Sequence, residues 1–435
     1  METTHKYFRL IQSVFFILLL SFSMSSCEKE EPVSTPPSTR QTDPPVDDLT
    51  DFELSDPIIR PDNEQTVFMY LPWSTNLTSN FKQNITDLRK VVGRNVLKNE
   101  RIIVFMCTTP TEAALFELIY EDGEDVRKTY KNNYEFSNLE YTTTDGIAAI
   151  LNDVKTYAPA KRYAMIIGCH GLGWIPVSNT QSRSRFSATK RHWEYENVPM
   201  TRLFGGLSPE YQTDITTLAE GITRVGLKME YILFDDCYMS GVEVAYDLKD
   251  VTEHLIASTS EVMAYGMPYA EIGEYLIGEV NYEKICDGFY SFYSNYTAMP
   301  CGTLAVTDCS ELENLATIMK DINSQYTFDS TSIGSLQRLD GYSPAIFFDC
   351  EDYVSKLCPD QGLLAQFKEQ LDRTVPFKRN TDYYYTMTRG KIKIDTFSGI
   401  TISDPSTSTE AAKKKETAWY MATNAITLTA FGKIS

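Results

Sequence analysis

The sequence predicts an α/β fold: a three-layer α/β/α sandwich around a mostly parallel central sheet, with an α+β subdomain at the C-terminal end. Three observations carry that prediction. Short, continuously apolar, β-rich runs recur along the chain, as in "RIIVFMCTT" (Arg101 to Thr109). Helical patterns such as "TDGIAAILNDVKTYA" separate them. Two reactive side chains, His170 and Cys237, fall at the ends of such runs rather than inside them. Strands apolar on both sides belong in a parallel sheet covered on both faces, and open sheets of that kind collect functional groups at strand carboxyl ends.

With 435 residues, 42% of them apolar and 12% aromatic, the chain has ample material for a core. Its formal charge of −19 argues against nucleic acid or an anionic membrane surface as partner, because phosphates require clustered Lys and Arg. The sequence carries no signal for an oligomeric state.

The first 26 residues read as an address. "HKYFRL" is a positive flank, "IQSVFFILLLSF" an apolar run too short for a membrane span, and "SMSSC" brings small residues up to Cys27. This resembles the lipobox of bacterial lipoproteins, which implies a lipid on the Cys27 thiol and, through it alone, attachment to a membrane; a plain secretory signal with an incidental cysteine is the other reading. The following "CEKEEP" resembles the export tag of surface lipoproteins in the Bacteroidetes. Residues 27–62, rich in Pro, Ser, Thr and acid, cannot bury enough apolar area to offset their ordering entropy and read as a disordered stalk.

Order is expected from "TVFMYLPW" (Thr66 to Trp73) onward. Further strands are predicted at "RIIVFMCTT", "YAMIIGCH" (Tyr163 to His170), "EYILFDDC" (Glu230 to Cys237) and "HLIASTSE" (His254 to Glu261). Helices are predicted at "NFKQNITDLRKVVGRNV" and at "TDGIAAILNDVKTYA", the latter with Asp145 as N-cap. Beyond Cys309, "SELENLATIMKDINSQY", "GLLAQFKEQLDRTV" and "EAAKKKETAWYMATNAI" read as helices. "YYYTMTR", "KIKIDTF" and "SGITIS" read as strands that extend the main sheet.

A thiol becomes a strong nucleophile when an imidazole takes its proton, and the same imidazole can then protonate a leaving nitrogen. Beyond the leader the chain has three histidines: His192 lies in a polar loop, His254 starts a strand, and His170 ends one. His170 is therefore the candidate base and Cys237 the candidate nucleophile. An oxyanion formed on the substrate needs two fixed N–H donors, and the backbone N–H groups of Gly171 and Cys237 are the natural pair. Nine cysteines less Cys27 leave eight, several inside apolar runs, which favours buried thiols over disulfides. No Cys and His spacing suits zinc, and no metal site or cofactor is predicted.

"MIIGCHGLGW" followed by "EYILFDDCYMSGVEVAYDL" resembles the clostripain family of caspase-like cysteine peptidases, whose nucleophile motif is a strand ending in Asp-x-Cys-x-Met. The resemblance runs from about Thr66 to Tyr420. It implies a caspase-like sandwich and a cysteine endopeptidase acting on peptide or protein substrates, with Cys237 as nucleophile, His170 as general base and acid, and Gly171 in the oxyanion hole. It also implies that Asp235 lies at the base of the S1 pocket and pairs with an Arg or Lys of the substrate. The residue itself allows another reading, a carboxylate accepting N–H bonds at the start of the following helix.

Family members that cut strongly after Arg or Lys carry a further acid near a Gly-Trp-Asp-Tyr; here "YGMPY" stands instead, with Glu261 the nearest stand-in. Self-cleavage between His and Cys is a family trait, and the polar stretch holding Arg183, Arg185, Lys190 and Arg191 lies in that interval. An ordinary solvated loop is the other reading of the stretch. Calcium, which some relatives need, finds no EF-hand-like loop here. A rival class is a surface binding protein that keeps the scaffold without turnover, in line with 27 tyrosines. The predicted organisation is a signal peptide (1–26), stalk (27–62), caspase-like catalytic domain (63–309) and C-terminal subdomain (310–435).

Overall fold

The computed structural model describes Asp56, Ile58 and residues 60–121, 124–135, 140–177 and 211–424. Cys27, most of the predicted stalk, His192 and the basic residues Arg183, Arg185, Lys190 and Arg191 lie outside these.

Strands β1 (Gln65–Leu71), β2 (Glu100–Cys107), β3 (Glu112–Glu121) and β4 (Glu124–Glu135) come first. They are followed by β5 (Arg162–Ile167), β6 (Met229–Phe234), β7 (Thr252–Ala257) and β8 (Thr303–Asp308). Last come β9 (Phe348–Asp349), β10 (Phe377–Asn380), β11 (Tyr383–Thr386), β12 (Gly390–Lys393) and β13 (Thr401–Ile402). Nine strands make one sheet in the order β10-β8-β7-β6-β5-β1-β2-β3-β4. The centre, β7-β6-β5-β1-β2, is parallel, and both flanks are antiparallel.

Alternate residues of the central strands point to opposite faces, so each strand feeds two cores. Val67, Met69 and Leu71 of β1 join one cluster, while Phe68 and Tyr70 join the other. The first cluster is covered by α1 (Thr78–Val92), which buries Phe81, Ile85, Leu88 and Val92 at helical spacing. The second is covered by α2 (Thr144–Tyr157), α3 (Ile215–Arg224) and α4 (Val242–Leu248). Further along, α5 (Tyr269–Ile272) and α6 (Tyr282–Ser294) pack on the α1 side. α7 (Leu312–Gln325), α8 (Cys350–Leu357), α9 (Gln361–Thr374) and α10 (Ala418–Thr423) complete the other side. The result is the predicted three-layer sandwich.

Four local expectations are corrected. The N-cap of α2 is Thr143, whose extended backbone lets its hydroxyl accept the N–H of Gly146 at 3.1 Å; Asp145 sits inside the first turn and pairs with Arg224. The helix after Cys237 starts at Val242, so the Asp235 to Cys237 segment is a turn rather than a helix N-terminus. The strands predicted at the C-terminal end do not extend the main sheet: β11 pairs with β12, and β13 with β9, in two small sheets. The extension comes instead from β10, "FKRN", which pairs antiparallel with β8 as an edge strand and so lacks an apolar alternation. Finally, the expected last helix breaks at Thr417, because Lys414 turns inward to Glu243 at 3.1 Å and Thr417 caps a new helix.

Candidate active site

β5 and β6 are parallel neighbours whose last residues, Ile167 and Phe234, are register partners. His170 and Cys237 each lie three positions past those residues, so the register brings the two turns side by side. The ladder runs one residue further, with the N–H of Asp235 donating to the carbonyl of Ile167 at 2.8 Å.

The turn after β5 fits against the turn after β6 because it is built from glycine. A Cβ at Gly171 would collide with the carbonyl oxygen of Cys237 and sit 2.9 Å from the side chains of Asp236 and Met239. Gly173, at φ +60°, would place a Cβ 2.9 Å from the carbonyl of Tyr238. The "HGLG" stretch is thus the complement of the "DDCYM" stretch, backbone against backbone.

The three residues of that second turn are held differently. Cys237 is fully buried, its Sγ receiving the N–H of Val262 at 3.2 Å. Asp236 reaches the other turn: its Oδ1 accepts the N–H of Cys169 at 2.5 Å, and its Oδ2 lies 3.5 Å from the Cys169 sulfur. Asp235 turns toward the loop after β7, accepting the N–H of Met267 at 2.9 Å and the Tyr269 hydroxyl at 3.0 Å. Both of these donors belong to the "YGMPY" segment. That segment is itself braced by α1, where Asn84 donates to the carbonyl of Tyr265 at 2.9 Å and Asp87 accepts the Tyr265 hydroxyl at 2.8 Å.

Tyr238 adopts φ +62°, a conformation that costs a bulky residue energy and marks a forced turn. Its ring stacks on Phe347 at 5.3 Å and its hydroxyl donates to Glu261 at 2.8 Å. Glu261 also accepts the N–H of Met387 at 3.1 Å and is 4% exposed.

His170 is fully buried, and its Nε2 lies 2.8 Å from Oδ1 of Asn76, which follows β1. With Cys169 and Asp236 it lines a small cavity floored by Tyr70, Ile147 and Leu218. Asn76 had no sequence signal beyond its place past the first strand. His254 lies at the beginning of β7, away from the strand carboxyl ends, stacked on Tyr282 at 4.3 Å. Among the thiols away from these turns, burial pushes Cys286 and Cys309 up to about 12, which disfavours their thiolates. Among the described residues no group of three or more His, Cys, Asp or Glu side chains is gathered as a metal site.

A thiol and an imidazole in adjoining turns at the carboxyl edge of a three-layer sandwich define the class, a caspase-like cysteine peptidase. The Clostripain family model matches residues 70–387, and the chain belongs to that family. It is 70% identical to a secreted C11 cysteine protease from Bacteroides thetaiotaomicron, "iotapain", over 83% of this chain and 99% of that one, with a TM-score of 0.76. A clostripain from B. thetaiotaomicron ATCC 29148, solved with the peptide inhibitor BTN-VLTK-AOMK, is 75% identical over 51% of this chain and 99% of that one, with a TM-score of 0.50. An inactive zymogen C11 protease from Parabacteroides distasonis shares the fold at 23% identity, covering 85% of this chain and 100% of that one, with a TM-score of 0.70. None of the curated proteins compared with the chain matches it. The protein is a cysteine-type peptidase.

Proposed function

We propose that this peptidase is an exported, lipid-anchored endopeptidase whose chemistry is carried by Cys237 and His170. The supporting observation is the matched register of β5 and β6, with Gly171 packed on the carbonyl of Cys237. In this reading His170 takes the Cys237 proton, and the thiolate attacks the substrate carbonyl. The N–H groups of Gly171 and Cys237 receive the oxyanion. Collapse of the adduct breaks the peptide C–N bond as His170 protonates the leaving amine. Water, deprotonated by His170, then hydrolyses the thioester and restores the thiol.

For specificity we infer cleavage after Lys or Arg, with Asp235 at the base of the pocket. Support comes from its burial between β6 and the Met267–Tyr269 loop, and from the VLTK peptide bound by the 75% identical relative. A buried carboxylate favours a cationic side chain strongly.

Because His170 and Cys237 are fully buried, a substrate requires an opening step, and self-cleavage at Arg183, Arg185, Lys190 or Arg191 is the reading that supplies one. The N–H of Val177 donates to Asp214 at 2.6 Å, which ties together the two borders of that interval. Lipid attachment at Cys27 rests on the lipobox-like sequence, and export accords with the relative described as secreted.

The test is incubation of the full chain with a diverse peptide pool, with Cys237→Ala and His170→Ala as controls, reading cut sites by mass spectrometry. Cuts after Lys or Arg that vanish in both controls support the Cys237 and His170 chemistry and the role of Asp235. Cuts elsewhere remove Asp235 from recognition, and cuts that persist in Cys237→Ala overturn the mechanism.

A further inference from the structure

We propose that Asn76 is a positioning residue for His170: its side-chain oxygen holds the imidazole with the proton on Nε2, so that Nδ1 is the nitrogen that exchanges a proton with the thiol. The inference rests on the reading that His170 and Cys237 carry the chemistry. An amide oxygen can only accept, and the Asn76 Oδ1 faces Nε2 at 2.8 Å. A neutral imidazole with its proton on Nε2 is basic at Nδ1.

A second observation is independent of that bond. Thr75, immediately before Asn76, has φ +69°. A β-branched residue is rarely found there, and such a conformation persists only where its surroundings enforce it. The surrounding turn over-determines it: Ser74 and Leu77 are both buried, and the N–H of Asn76 donates to the carbonyl of Ser74 at 2.8 Å. The backbone is bent where it delivers the Asn76 amide to the ring.

The topology gives the same grouping. β1, β5 and β6 are consecutive in the sheet and parallel, so the segments after them reach one edge with Asn76, His170 and Cys237. The other titratable groups near the ring are Cys169 and Asp236 beside it, Tyr70 on β1, and Tyr211 and Asp214 across the cavity. Asp236 accepts the N–H of Cys169, and Nε2 of the ring meets the oxygen of a neutral amide.

The experiment compares Asn76→Ala and Asn76→Asp with the parent, reading kcat and KM against pH, with His170→Ala, Cys237→Ala and thermal melting alongside. Asn76→Ala is expected to lose about 100-fold in kcat with KM nearly unchanged. Asn76→Asp keeps an acceptor and adds a charge that stabilises imidazolium. It is expected to retain more activity than Asn76→Ala and to move the limb of the profile that reports His170 to higher pH. The proposal is overturned if kcat of Asn76→Ala equals that of the parent, or if the Asn76→Asp profile superimposes on it. Should Asn76→Ala not fold, the Asn76→Asp profile decides alone. Activity that survives in His170→Ala instead sinks the underlying reading and not just this one.

Discussion

The carboxylate of Asp236 accepts the backbone N–H of Cys169 at 2.5 Å, so the turn carrying Cys237 grips the turn carrying His170 one residue away from each. Sequence alone offered no chemistry for Asp236. A bond from an N–H to a carboxylate contributes about 1.5–3 kcal/mol, and here it also sets the spacing of the turns that carry His170 and Cys237. Asp236→Ala is expected to lower kcat by about 100-fold, since a misplacement of 1 Å has that effect. Asp236→Asn, which keeps an acceptor in place, should stay within about tenfold of the parent, and equal losses in both variants would reject the positional role.

Gly171 has no room for a methyl group, and the obstacle is backbone rather than a side chain that can swing away. Gly171→Ala is expected to push the two turns apart and abolish cleavage while leaving the remote core intact. Retained far-ultraviolet circular dichroism with a rate of Cys237 alkylation at least tenfold slower is the predicted pair of results.

Glu261 joins the Tyr238 hydroxyl to the N–H of Met387, and so connects the Cys237 turn to the end of β11. Glu261→Ala leaves two buried donors without that acceptor, at about 1–3 kcal/mol each. Denaturant titration should show that loss. Cleavage-site preference should not change, because Glu261 braces the Cys237 turn against the end of β11, away from the Met267–Tyr269 loop that Asp235 joins.

Asp247, on α4, has its carboxyl pushed up to about 6, first by burial and then by the nearby Glu243, against the opposing N–H of Ala418. An acid whose folded-state value lies above its unfolded value near 3.9 binds protons more tightly when folded, so stability falls as pH rises from about 4 to about 6. Asn at this position stays neutral throughout. Asp247→Asn is therefore expected to gain about 2 kcal/mol over the parent at pH 7.5 and nothing at pH 3.5, read by urea denaturation at both values.

The five central strands were legible because each is apolar on both faces, but their ends were not. "EYILFDDC" was expected to be extended through Cys237, whereas β6 stops at Phe234 and the following three residues form the turn that presents the site. Hydropathy does not distinguish a buried strand from a buried functional turn, and Asp235, Asp236 and Cys237 are all buried. His170, Gly171 and Cys237 were singled out from their positions at strand ends, and the register of β5 and β6 sets their turns side by side. Asn76 and the grip of Asp236 were invisible, since both act through bonds across strands distant in sequence. The β3–β4 hairpin also went unassigned, although Asp122-Gly123 between two strand-like runs was a hairpin signal.

The bond between Val177 and Asp214 holds the two ends of the interval between them together. A cut anywhere between those residues would leave β5 on one polypeptide and β6 on the other, still hydrogen-bonded as neighbours at the heart of the sheet. The product would elute as a single particle and separate only under denaturation. Once unfolded, it would have to find its other half by collision, so its recovery would depend on concentration. For such a protein, survival is governed by how slowly it comes apart rather than by how well it reassembles.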